Sequence, residues 1–237
     1  MRELPKMDRN TIGPFADVSL LDFYSGVFNC VFVSLNPFLQ LLDSSTLKLS
    51  NFWEIDDRTS IDIKQRILLH TKPIRWEEIL MISGFQGINQ IDIALRTSIG
   101  GLVKLKQDWV LEEILDNAME NNQILAPTEG RIPENQINSI LKAVKIQGYE
   151  WICLGAEFGD SMELVWIDDL IQDQIDYSTH QNLYTYDRKI LISCHWDSFQ
   201  VYICSNPATV KSIVKDALLE GFYANEKTEV YWSVKGY

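Results

Sequence analysis

Two pairs of apolar runs in the second half of the chain constrain the fold most. YEWICLGAEF and SMELVWI are separated by Gly159-Asp160, and RKILISCHW and FQVYICS meet around Asp197-Ser198. Each run is rich in β-branched and aromatic residues and is bounded by turn residues, which predicts two β-hairpins. A hairpin is antiparallel by construction, so the sheet is expected to be antiparallel. Pro133 is placed to open a helix whose apolar face is Ile137, Ile140, Leu141 and Val144, and Gly148 ends it. Asn206 with Pro207 starts another helix, lined by Val210, Ile213, Val214 and Ala217 and ended by Gly221. TEVYWSV reads as a last strand. The order α-β-β-β-β-α-β predicts helices packed on one face of the sheet. Ile152, Leu154, Ile190, Ile192, Val201 and Ile203 are expected on its core face.

The first half reads as mainly helical. Ser19 is placed to cap a helix from Leu20 to about Cys30, followed by a strand VFVSL. Thr59 with Asp62 resembles a capping box, opening a helix to about His70. Pro73 is read as ending that helix and starting the next, RWEEILMISGF. Ile88, Ile91 and Leu95 share a helical face, and Asp108 caps a helix carrying Leu111, Ile114, Leu115 and Ala118. The short polar stretch APTEGRIP at 126–133 is the best boundary between halves. The expected fold is therefore α+β: a helical N-terminal half packed with a C-terminal antiparallel sheet of about five strands. Residues 1–237 are read as one compact domain, divisible at most into 1–125, mainly helical, and 126–237.

Charge excludes some classes of function. The formal net charge is −12, and both halves carry more acidic than basic residues. Neither half has the basic excess that a phosphate backbone requires, so no nucleic-acid partner is expected. Residues 75–99 would suit a helix-turn-helix, yet INQIDIALRTS offers only Arg96, opposed by Asp92. Phe23 to Leu42 runs 20 residues without a charge, the length of a membrane span. It contains Asn29, Asn36, Pro37 and Gln40 and is flanked by Asp22 and Asp43, so a buried helix and strand are expected instead. MRELPKMDRNTIGPF lacks the apolar centre of a signal peptide. Cys30, Cys153, Cys194 and Cys204 lie in apolar runs with no CxxC spacing, which predicts free thiols and a cytoplasmic setting. No phosphate loop, zinc motif or calcium loop occurs, so no cofactor and no metal are expected.

Two features are candidates for function. On a strand, His195 and Asp197 would share a face, letting the carboxylate orient the imidazole. No nucleophile is identifiable beside them, and a turn with a structural histidine explains the same residues. The second feature is charge placement. Between Lys145 and Arg188 there is no Lys or Arg, while nine carboxylates occur. Glu157, Asp160, Glu163, Asp168, Asp169 and Asp173 are the candidate docking residues for a basic protein. A solvated acidic edge is the plainer explanation. A metal site drawn from Asp168, Asp169, Asp173 and Asp176 would lack the glycine and alternation of a calcium loop.

DRKILISCHWDSFQVYIC, LLEGFYANEKTEVYW and WEEILMISGFQGINQIDIALRTSIGGL resemble an uncharacterised domain-of-unknown-function family of bacilli. That resemblance implies no activity and assigns no residue a role. The build also resembles small acidic immunity proteins that neutralise toxins, by size, charge and fold class only. The expected function is a non-enzymatic cytosolic binding protein, immunity-like or regulatory, using an acidic face. The alternative is a hydrolase-type enzyme with a pocket around His195 and Asp197.

Overall fold

A computed structural model describes residues 8–43, 48–53 and 59–235. Residues 1–7, on which part of the signal-peptide expectation falls, lie outside them. The chain begins with α1 (Leu20–Phe23), β1 (Cys30–Leu35) and β2 (Phe38–Leu41). Next come α2 (Leu49–Phe52), α3 (Ser60–His70), β3 (Thr71–Ile74), α4 (Trp76–Ser83), α5 (Ile88–Ser98), α6 (Trp109–Asn121) and β4 (Ile124–Leu125). The second half runs α7 (Ile137–Ile146), β5 (Trp151–Gly155), β6 (Met162–Trp166), α8 (Ile167–Ile171), β7 (Asn182–Tyr184), β8 (Leu191–Cys194) and β9 (Gln200–Ser205). It closes with α9 (Pro207–Asp216), β10 (Gly221–Tyr223) and α10 (Trp232–Lys235).

The fold is α+β, with a main sheet larger than expected. Seven strands lie in the order β10-β1-β9-β8-β7-β5-β6, every pairing antiparallel. A second sheet has the order β3-β2-β4. All six expected core-face residues are buried in one cluster with Ile140, Leu141 and Val144 of α7 and Val210 and Ile213 of α9. The opposite face is covered too, by Ile12, Leu20, Phe23, Tyr24 and Phe28 of the first segment. Central strands therefore bury both faces, and all six residues of β9 are buried. A third cluster joins the helical half to the sheet through Leu35, Trp76, Ile91, Phe199 and Trp232.

Several local expectations are corrected. The helix after Ser19 stops at Phe23 rather than near Cys30, and Gly26 takes a left-handed conformation (φ 76°) soon after. Pro73 lies in β3, an edge strand where a missing N–H is tolerated. TEVYWSV is not a strand: it holds a turn and α10, and its apolar alternation reflects Val230 and Trp232 inserted into separate cores. The last strand is Gly221–Tyr223 instead. Gly221 does not end α9; it starts β10, where an added Cβ would lie 1.9 Å from the Val33 carbonyl oxygen. The 20 uncharged residues form the end of α1 followed by β1 and β2, broken at Asn36-Pro37. Among the described residues, no helix is long and apolar enough to cross a membrane.

Candidate functional site

His195 and Asp197 sit in the turn between β8 and β9, just beyond the end of the strand. The turn is folded on itself: the Ser198 amide (3.2 Å) and hydroxyl (2.8 Å) both donate to the His195 carbonyl. The 126–133 loop clamps it from outside. The Gly130 amide donates to the Ser198 carbonyl at 2.9 Å, and a Cβ at Gly130 (φ 64°) would lie 2.2 Å from the Trp196 oxygen. Only glycine fits this approach.

The turn brings His195 Nδ1 into contact with Asp197 Oδ1, so the sequence-expected pair is in fact together. A tight turn juxtaposes them, not the same-face alternation of a strand. Asp197 is buried at 2% exposure. Its other oxygen accepts from the Tyr231 hydroxyl at 2.5 Å. Burial alone would raise its pKa, but hydrogen bonds from His195 and Tyr231 and the Arg96 charge outweigh burial and hold it below the usual carboxylate range. The Tyr231 hydroxyl is pushed up to about 12, by burial first and then by Asp197.

Behind Asp197 lies a buried polar network that sequence reasoning missed. Arg96 has no exposed side-chain surface and pairs with Asp92 at 2.8 Å. It donates to the carbonyls of Asp197 and Val230, each at 2.9 Å, and lies 4.7 Å from the Tyr231 ring centre. Ser233 donates to Asp92 at 2.5 Å. The i,i+4 spacing of Asp92 and Arg96 was the available signal. It says the two meet, not that they meet indoors. Buried this way, α5 presents no cation to a nucleic acid.

A cavity of about 210 Å³ opens over His195, lined also by Ile12, Phe15, Glu157, Phe158, Cys194 and Trp196. Asp197 does not line it and touches the imidazole from behind. Cys194 donates its S–H to the Gly130 carbonyl at 3.3 Å. Burial, then the Glu157 charge, pushes this thiol up to about 12, so it stays protonated and is no nucleophile near neutral pH. His195 with Asp197 has the arrangement of a general base. Among the described residues, the cavity lining supplies no serine or threonine hydroxyl for it to activate.

The acidic interval is divided by the fold. Asp173 pairs at 2.5 Å with Lys64, whose side chain is only 3% exposed and also donates to Asn138. Asp168 pairs at 2.7 Å with Lys145, which Glu150 shares. Thus cations from outside the interval neutralise part of it. Glu157, Asp160, Glu163 and Asp169 have no cation partner among the described residues, and Asp160 and Glu163 are exposed. No group of three or more metal-ligating side chains converges among the described residues.

Those open carboxylates surround β6, the terminal strand of the main sheet. Four of its five residues are exposed and only Val165 is buried. Met162 (60%), Leu164 (48%) and Trp166 (45%) point to one side, and Phe158 (67%) stands at the preceding turn. Leu164 pairs with Cys153, which belongs to the core under the first segment, so these side chains continue that face of the sheet beyond its cover. Trp166 stacks on Trp151 with ring centres 3.5 Å apart. Sequence alternation revealed the strand but not its place at the edge.

No curated protein and no solved structure matches the chain. The model of one family, described as a protein of unknown function (DUF2711), matches residues 16–234, and the chain belongs to that family.

Proposed function

We propose that this chain is a non-enzymatic binding protein of the cytosol, immunity-like or regulatory, that captures a basic, strand-forming segment of another protein along β6. The observation that carries this is an edge strand with three large apolar side chains on one face and unpaired carboxylates around it. An edge strand offers a row of free backbone donors and acceptors, which an incoming strand can use. The carboxylates decide what kind of strand. Pairing β6 with another copy would bring Asp160 and Glu163 near their equivalents, and each copy carries a net charge of −12. A strand with apolar residues against Met162, Leu164 and Trp166 and a basic residue beside Glu163 complements both faces. The four free cysteines suit a reducing compartment.

The test is binding to immobilised ten-residue peptides that alternate apolar with basic or apolar with acidic residues. The basic series is expected to bind, with an association rate that falls steeply with salt. Leu164→Lys and Glu163→Lys should each abolish binding without unfolding the chain. Equal retention of acidic and basic peptides, or full binding by both variants, would overturn the proposal. A hydrolase centred on His195 and Asp197 has the support of a cavity and an oriented imidazole, but its nucleophile would have to be a water.

A further inference from the structure

The cavity over His195 lies at the turn that leads into β6: Glu157 and Phe158 belong to both. Three aromatic side chains border it while standing largely in water, Phe15 (45%), Phe158 (67%) and Trp196 (61%). Exposed aromatics grouped at one concave site are costly to solubility unless something covers them. The polar groups among them are of one kind. Asp197 is ionised and can only accept, and His195 Nδ1 lies in contact with its Oδ1, so the proton of a neutral imidazole belongs on Nδ1. In the neutral imidazole, Nε2 is then an acceptor, and it has no protein partner among the described residues. Glu157 is a second acceptor. Aromatic faces, a bare imidazole nitrogen and a carboxylate all attract a cation and offer nothing to an anion.

We propose that this cavity is a recognition pocket for the ammonium head of a lysine side chain, carried by the segment that pairs on β6. The identity of the occupant as part of that segment rests on the function proposed above; the pocket's preference for an alkylammonium does not. Arg96 does not oppose it, because Arg96 is neutralised by Asp92 and Asp197. Protonated His195 would oppose it, by placing an N–H and a positive charge against the ligand. The groups facing His195 are Asp197 and Tyr231 behind, Cys194 beside it, Glu157 across the cavity, and Arg96 and Glu129 beyond Asp197.

The experiment titrates the full chain with N-acetyl-lysine methylamide and with its uncharged norleucine counterpart, following the His195 imidazole and Trp196 indole signals by NMR. The lysine compound should shift both signals saturably, and the norleucine compound should not. Glu157→Gln should weaken binding by about fivefold or more, the scale of a partly exposed charge contact. Equal binding of both compounds would show a merely apolar pocket, and no shift with either would show none; both results overturn the proposal. Leu164→Lys separates the two proposals: it should abolish binding of the strand peptides while leaving the lysine amide bound as before.

Discussion

Arg96 carries its charge where water does not reach, and four groups make that tolerable: Asp92, the Asp197 and Val230 carbonyls, and the Tyr231 ring. Removing one partner of such a pair leaves the other charge buried and alone. Arg96→Leu is therefore expected to destabilise the chain by about 3–5 kcal/mol, read from urea midpoints. A cost within the range of a surface substitution would mean that the network contributes nothing net. Asp197 gives the same network a pH dependence. Its folded pKa is depressed, so its contribution is fully present above the ordinary carboxylate pKa of about 3.9 and is lost as pH falls through the lower folded value. Asp197→Asn should be less stable than the parent at neutral pH. The gap should narrow as pH falls below about 4, where the parent has lost this contribution. A gap that stays constant down to acid unfolding would show that Asp197 does not act through its charge.

Elements that declare themselves by hydrophobic period were legible in the sequence, and elements defined by what packs on them were not. The hairpin β5–β6 and the helices α3, α5 and α6 follow their signals closely, whereas α7 and α9 keep the expected period but not every expected end: α7 begins at Ile137 behind Gln136 rather than at Pro133, and α9 stops at Asp216 before Gly221. β7 has three residues, too few to show a period, yet it sits inside the main sheet. β10 was hidden because Gly221 reads equally well as a helix stop. Its backbone approach to Val33 explains the glycine, and Gly221→Ala should cost about 3 kcal/mol or displace β10. Wild-type stability in that variant would mean that the edge readjusts freely. The candidate site was legible to the same degree. His195 with Asp197 and the acidic interval could be named from sequence, but the exposure of β6 and the pairing of Asp173 with Lys64 depend on elements distant in the chain. Asp173 illustrates the difference. Asn there would strand a nearly buried Lys64 and cost about 3 kcal/mol, whereas Asp160→Asn at the exposed turn should stay within about 0.5 kcal/mol.

At the scale of the whole molecule, the net charge of −12 sets two salt effects of opposite sign. Repulsion among like charges destabilises the compact state, and added salt relieves it. The ion pairs that hold the fold most firmly, Arg96 with Asp92 and Lys64 with Asp173, are buried or nearly so and are screened little. Raising salt from ~0.02 M to ~0.5 M shortens the screening length from above 20 Å to about 4 Å, so the melting temperature should rise by a few degrees. Over the same range the association rate with a basic strand peptide should fall by about tenfold or more, because encounter depends on long-range attraction to exposed carboxylates. Stability and binding are thus expected to move apart along one variable. Glu163→Gln combined with Asp160→Asn should reduce both slopes, since the same exposed charges cause the repulsion and the attraction. A double variant that flattened the stability slope alone would assign these carboxylates to solvation and remove them from the docking surface. One that flattened the binding slope alone would place the repulsion elsewhere on the molecule and leave the docking surface intact.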